Sequence, residues 1–195
     1  MKKQQLIKLL EANNVPELVY DWNFTEFDGT PGARKFRRRL SSIDDLIIKS
    51  RQCLFICIPS DPLMASRLAV TFLKAAFISG FLNCSYATPE SISQLRAAGW
   101  KTVDNYDRGE GYGKLLHADF VVLDKVNAQL DDFRAKSLNE FIEQRTLLKR
   151  STIMASSQQP ETALKPNTIA ILRAVDCKVV GVDGSSRGMK EGKDA

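Results

Sequence analysis

Five short apolar runs recur along the chain: Cys53–Ile58, Leu82–Ala87, Asp119–Asp124, Ser151–Ala155 and Cys177–Val182. Each has strand length and reads as apolar on both faces, which is the pattern of a strand covered on both sides in a parallel sheet. Between them the apolar spacing changes to three and four. Residues 65–79 read as a largely buried helix ending near Gly80. A second helix starts with Thr88 as its cap and Pro89 in its first position, and runs to Ala98. Residues 131–148 carry an apolar stripe through Phe133, Leu138, Phe141, Ile142 and Leu147, and residues 161–175 read as a further helix. Strands alternating with helices predict an α/β domain: a three-layer sandwich around a five-stranded parallel sheet with right-handed crossovers.

The flanks are less regular. Residues 3–12 predict a helix that Asn13, Asn14 and Pro16 break. Tyr20–Phe27 is aromatic and irregular and runs into the turn Asp28-Gly29-Thr30-Pro31-Gly32. Residues 33–50 have helical spacing through Phe36, Leu40, Ile43, Leu46 and Ile47, interrupted near Ser41-Ser42. Residues 101–113 are polar, hold Gly109, Gly111 and Gly113, and read as a loop. The predicted organisation is an N-terminal helix over 1–14, a core over 15–188 and a disordered polar tail over 189–195.

Composition narrows the classes of function. A chain of 195 residues with 44% hydrophobic and 26% charged positions suits one domain with a substantial core. No apolar run reaches the roughly 18–20 residues that span a bilayer, and the start does not read as a signal peptide, so a cytoplasmic protein without a membrane partner is expected. Cys53, Cys57, Cys84 and Cys177 form no CxxC pair, and His117 is the sole histidine, so no metal site is expected and the cysteines read as small buried hydrophobes. The net charge of +5 favours an anionic partner, and Arg34, Lys35, Arg37, Arg38 and Arg39 fall within six positions.

The order of several segments resembles the DnaC/IstB group of AAA+ proteins, the helicase loaders and transposition helper ATPases. Val15-Pro16 through Phe24–Phe27 resembles the segment leading into the core, and Leu54-Phe55-Ile56 with Leu68-Ala69-Val70 resembles the strand and helix around the P-loop. Tyr86–Glu90 is similar to the start of the second helix, and Leu115–Asp119 with Val121–Asp124 to the Walker B approach. Phe141–Arg145, Ser151–Ser157 and Val182–Arg187 resemble the following helix, the sensor strand and the end of the core. The resemblance spans residues 15–188 and implies a P-loop NTPase-like fold, here with the lid reduced or absent.

The resemblance also implies positions for catalysis, and the residues at those positions do not suit it. A P-loop needs glycines, a lysine and a Ser or Thr for Mg²⁺. The matching stretch Ile58–Ser66 has no glycine or lysine, and Pro59 and Pro62 lack N–H donors. Asp61 adds negative charge there, while Ser60 and Ser66 are the remaining hydroxyls. Walker B ends in Asp124-Lys125, so an ammonium stands where a second acid would activate water. Ser157 matches a sensor position that is often Asn, and Arg187 and Arg173 fall where arginines can meet phosphate or a neighbouring subunit, or serve as surface ion-pair residues. Glu140 and Glu143 read as a solvated face with Lys136 and Arg145.

The expected protein is therefore a pseudo-ATPase without cofactor or catalytic residue: a replication accessory that binds single-stranded DNA, the replicative helicase or an AAA+ loader, and leaves assembly into an oligomer open. The basic run Arg34-Lys35-Phe36-Arg37-Arg38-Arg39 can hold phosphates and stack a base, or form a helix whose Phe36 faces the core while its arginines are solvated. The alternative is a protein-only module that joins or inhibits active AAA+ rings.

Overall fold

The computed structural model describes residues 1–21, 53–59, 61–100, 106–127, 129–180 and 186–188. The predicted helix over 33–50, the basic run Arg34–Arg39, Ser60 and the tail 189–195 lie outside the described residues.

The central sheet is made of β1 (Cys53–Cys57), β2 (Cys84–Ala87), β3 (Phe120–Leu123), β4 (Ser151–Ser156), β5 (Lys178–Val180) and β6 (Ser186–Gly188). Their spatial order is β2-β3-β4-β1-β5-β6. The five expected strands pair in parallel, with Leu54 opposite Ile153 and Lys178, and Val121 opposite both Ser85 and Thr152. The sequence pattern missed β6, an antiparallel strand that pairs Arg187 with Val179. The helices are α1 (Lys3–Ala12), α2 (Pro62–Ile78), α3 (Pro89–Trp100), α4 (Tyr106–His117), α5 (Asp132–Leu147), α6 (Pro160–Ala163) and α7 (Pro166–Ala174). Among the described residues no helix is long and apolar enough to cross a membrane.

Strand periodicity divides the core into two layers. Leu54, Ile56, Phe120, Val122, Ile153 and Ala155 face a cluster with Leu68, Phe72 and Phe77 of α2. Cys53, Phe55, Cys57, Val121, Leu123 and Met154 face the opposite cluster with Leu138, Phe141 and Ile142 of α5 and Leu172 of α7. All four cysteines are buried. Leu10 of α1, Val15 and Val19 join the first cluster. Lys74 of α2, 8% exposed, fastens this lead-in by donating from Nζ to the carbonyls of Val19 (2.9 Å) and Tyr20 (2.6 Å).

Three expectations are corrected. Residues 106–113 belong to helix α4 rather than a loop. Leu115 is buried, Tyr112 packs edge-on against Phe141, and a Cβ on Gly111 would meet Leu95 Cδ2 at 2.9 Å. The glycine therefore permits close approach of α3, and tertiary packing overrides its weak helix propensity. The predicted helix over 161–175 is split in two, because Leu164 and Lys165 are extended and Pro166 opens α7. Nor is the face around Glu140, Glu143 and Arg145 a solvated one: Glu140 pairs with Arg96, Glu143 accepts from Thr168 Oγ1 at 2.7 Å, and Arg145 is completely buried.

Arg145 has five hydrogen bonds to five oxygens. Its Nη1 reaches the carbonyls of Leu115 (3.0 Å), Leu116 (2.8 Å) and Ala118 (2.9 Å), Nη2 reaches Ser151 O (2.7 Å), and Nε reaches Thr152 Oγ1 (2.9 Å). Burial pulls its pKa down to about 9, which leaves it protonated at neutral pH. The side chain caps the carboxyl end of α4, where a cation also complements the helix dipole. Replacing a buried charge can be neutral when both partners are removed. Here four acceptors are main-chain carbonyls that no side-chain substitution removes. Arg145→Met should therefore cost about 3 kcal/mol or more. Urea unfolding checks this, and a loss below about 1 kcal/mol would contradict the assigned role.

Candidate functional site

The carboxyl ends of parallel strands are where open α/β sheets place ligands. Here the ends of β1, β3 and β4 meet the amino end of α2. Asp61 is the N-cap of α2, and its Oδ1 accepts the Met64 N–H at 2.9 Å. Pro62 follows in the first turn and brings no N–H. The positive end of the helix dipole is thus complemented by the chain's own carboxylate.

Asp124 follows β3 and is 2% exposed. Its Oδ1 accepts the Ser66 hydroxyl at 2.6 Å and the Lys125 N–H at 2.8 Å, and its Oδ2 accepts the Tyr86 hydroxyl at 2.7 Å. Its own N–H donates to Ala87 O at 2.9 Å, so side chain and main chain both bind β3 to β2. Burial, with the Asp124 charge second, raises the Tyr86 pKa, which keeps the phenol a proton donor toward the carboxylate.

Lys125 adopts a φ of 60°, in the left-handed region. For a side chain with a Cβ this costs about 1–2 kcal/mol. Immediately after this turn Val126 N–H meets Ala155 O at 2.9 Å. The Lys125 side chain is exposed at the rim of a cleft of about 330 Å³ lined by Leu18, Leu63, Ser66, Lys125, Asn127 and Ser157, with Asp124, Ala155 and Ser156.

The structure thus brings Ser66, Asp124, Lys125 and Ser157 to one cleft. Arg187 lies on β6, and Arg173 pairs with Glu161 at 3.6 Å. Sequence reasoning did not single out Tyr86, Leu18, Leu63 or Asn127. The signal for Tyr86 was strand alternation: residues 84 and 86 of β2 share a core face with residues 120 and 122 of β3, and 124 continues that face. Among the described residues no group of three histidine, cysteine or acidic side chains could hold a metal ion.

No protein-family model matches the chain, and no curated protein does. Solved structures do match. A DNA replication initiation factor superposes on 83% of this chain and 49% of its own, with a TM-score of 0.64 and 15% identity, so the chain spans about half its length. The DnaC helicase loader matches over 75% of this chain and 89% of its own, with a TM-score of 0.57 and 16% identity. AMPPCP-bound DnaA from Aquifex aeolicus matches over 77% and 46%, with a TM-score of 0.58 and 16% identity. The chain shares the P-loop NTPase-like α/β fold of these three proteins.

Two substitutions test the hydrogen bonds of this site. Tyr86→Phe leaves Asp124 with two donors in a buried setting and is expected to cost about 1–3 kcal/mol. Asp61→Ala removes the cap of α2 and is expected to cost about 1 kcal/mol. Denaturant midpoints at neutral pH measure both.

Proposed function

We propose that this chain is a non-hydrolysing AAA+-type replication accessory that acts by binding single-stranded DNA, the replicative helicase, or both. The observation that carries the reading is the self-satisfied site. A triphosphate on this fold needs free N–H groups at the amino end of the helix, and magnesium needs open oxygens on the acid that ends β3. Instead, Asp61 accepts the Met64 N–H, Pro62 has none to give, and both oxygens of Asp124 already accept protein donors. Lys125 follows Asp124 where a hydrolase would carry a base. These residues do not fit a magnesium–nucleotide group, and no hydrolytic step follows from them.

The names of the structural neighbours, a replication initiation factor, a helicase loader and DnaA, support a place in replication. The basic run Arg34–Arg39 and the net charge of +5 support an anionic partner. Under this reading, residues 15–188 are a degenerate core, and Ser60, Ser66, Asp124, Lys125, Ser157 and Arg187 are remnants of a nucleotide site.

Two measurements decide the matter. Magnesium-dependent ATP turnover should not exceed that of Asp124→Ala, and turnover that this substitution abolishes would overturn the reading. Binding of a single-stranded oligonucleotide should weaken with salt. Combining Arg37→Ala, Arg38→Ala and Arg39→Ala should lower the log–log salt slope by about 2 if each arginine holds one phosphate. An unchanged slope would remove the basic run from the interface and favour the protein-only module.

A further inference from the structure

The donors and acceptors of the cleft do not balance. Its buried carboxylate, Asp124, already holds Ser66, Tyr86 and the Lys125 N–H. Three donors remain around it. The Lys125 ammonium has no carboxylate partner among the described residues. Asn127 accepts the Gln129 N–H at 3.2 Å through Oδ1, and its amide N–H groups have no acceptor among the described residues. The Ser157 hydroxyl likewise has no partner among them. Beside these donors stand two leucines, Leu18 at 62% and Leu63 at 39% exposure.

Such a cleft is completed by a ligand that supplies acceptors, one negative charge and apolar surface. A phosphate chain fits it poorly: the described lining residues include one cation, and Asp61 holds the amino end of α2. At about 330 Å³ the cavity is at the small end of ligand pockets. The leucines leave apolar surface exposed at its lining, so the matching partner extends past the cavity, as a peptide does and a small carboxylate does not.

We propose that this cleft docks an acidic, apolar peptide segment of a partner protein. A carboxylate side chain meets Lys125, Asn127 and Ser157, and a neighbouring apolar side chain covers Leu18 and Leu63. This rests on the reading of the site as one that no longer takes nucleotide. Charge-assisted hydrogen bonds supply the anchor, and the apolar contact supplies area.

The test uses the full chain and a short fluorescein-labelled peptide of leucine and glutamate, with a glutamine-for-glutamate version as control. Fluorescence anisotropy should show saturable binding of the acidic peptide, weakened about tenfold or more in the glutamine version. Lys125→Glu should weaken binding about tenfold or more, while Lys125→Arg retains it. Leu63→Ser, an exposed change, should also weaken it. Thermal melts of each variant verify folding, and Lys125→Gln serves if Lys125→Glu melts early. Equal binding of both peptides, or binding that ignores Lys125 in folded variants, overturns the proposal. So does displacement of the peptide by ATP, by a short oligonucleotide or by succinate at comparable concentration. Failure of peptide binding without ATP turnover sinks this inference alone, whereas turnover abolished by Asp124→Ala sinks the reading beneath it.

Discussion

The fold depends on a single guanidinium that never meets water. Arg145 reaches from α5 to the last turn of α4, to the residues just before β3 and to the first residues of β4. No carboxylate takes part in these bonds, so the charge is dispersed over carbonyl and hydroxyl dipoles. A buried cation is tolerable only when nearly all its donors are engaged. That requirement works as a geometric specification: the five oxygens must lie where the planar fork can reach them. Their positions set how β3 and β4 begin, and parallel pairing carries that register along to Leu123 opposite Met154. The cleft lies just past that end, so its geometry is fixed in part from the far side of the sheet.

At the cleft, local chemistry has closed what the fold leaves open. A helix amino end pointing toward strand ends attracts anions in any sequence. Asp61 and Pro62 answer that attraction from within the chain. A buried aspartate likewise demands donors, and Ser66, Tyr86 and the Lys125 N–H supply them. Among the described residues, the donors around Asp124 that no other group engages are those on Lys125, Asn127 and Ser157, at the lining of the cleft.

The architecture was legible because its signals are long and redundant. Apolar on both faces, the segments around β1, β3 and β4 could hardly be anything but inner parallel strands. β6 was not legible, because three residues, Ser-Arg-Gly, have no periodicity of their own and pair by proximity to β5. α4 was misread because its glycines lower helix propensity, while the packing of Gly111 on Leu95 is visible only in three dimensions. Arg145 was misread because a charged residue three or four places from other charges looks solvated, and its acceptors come from residues up to 30 positions away. Within the cleft, Ser66 and Asp124 were found through family resemblance, whereas Tyr86 is linked to Asp124 by a contact spanning 38 positions. Leu18 and Leu63 look like ordinary apolar residues until the cavity between them is seen.

The two hydrogen bonds from Lys74 to Val19 and Tyr20 also have a mechanical meaning. α2 is 17 residues long, a stiff rod of about 25 Å. Lys74 grips the lead-in segment toward one end of that rod, and Asp61 and Ser66 stand at the other. A load on the lead-in therefore pulls on a rod whose opposite tip forms a wall of the cleft.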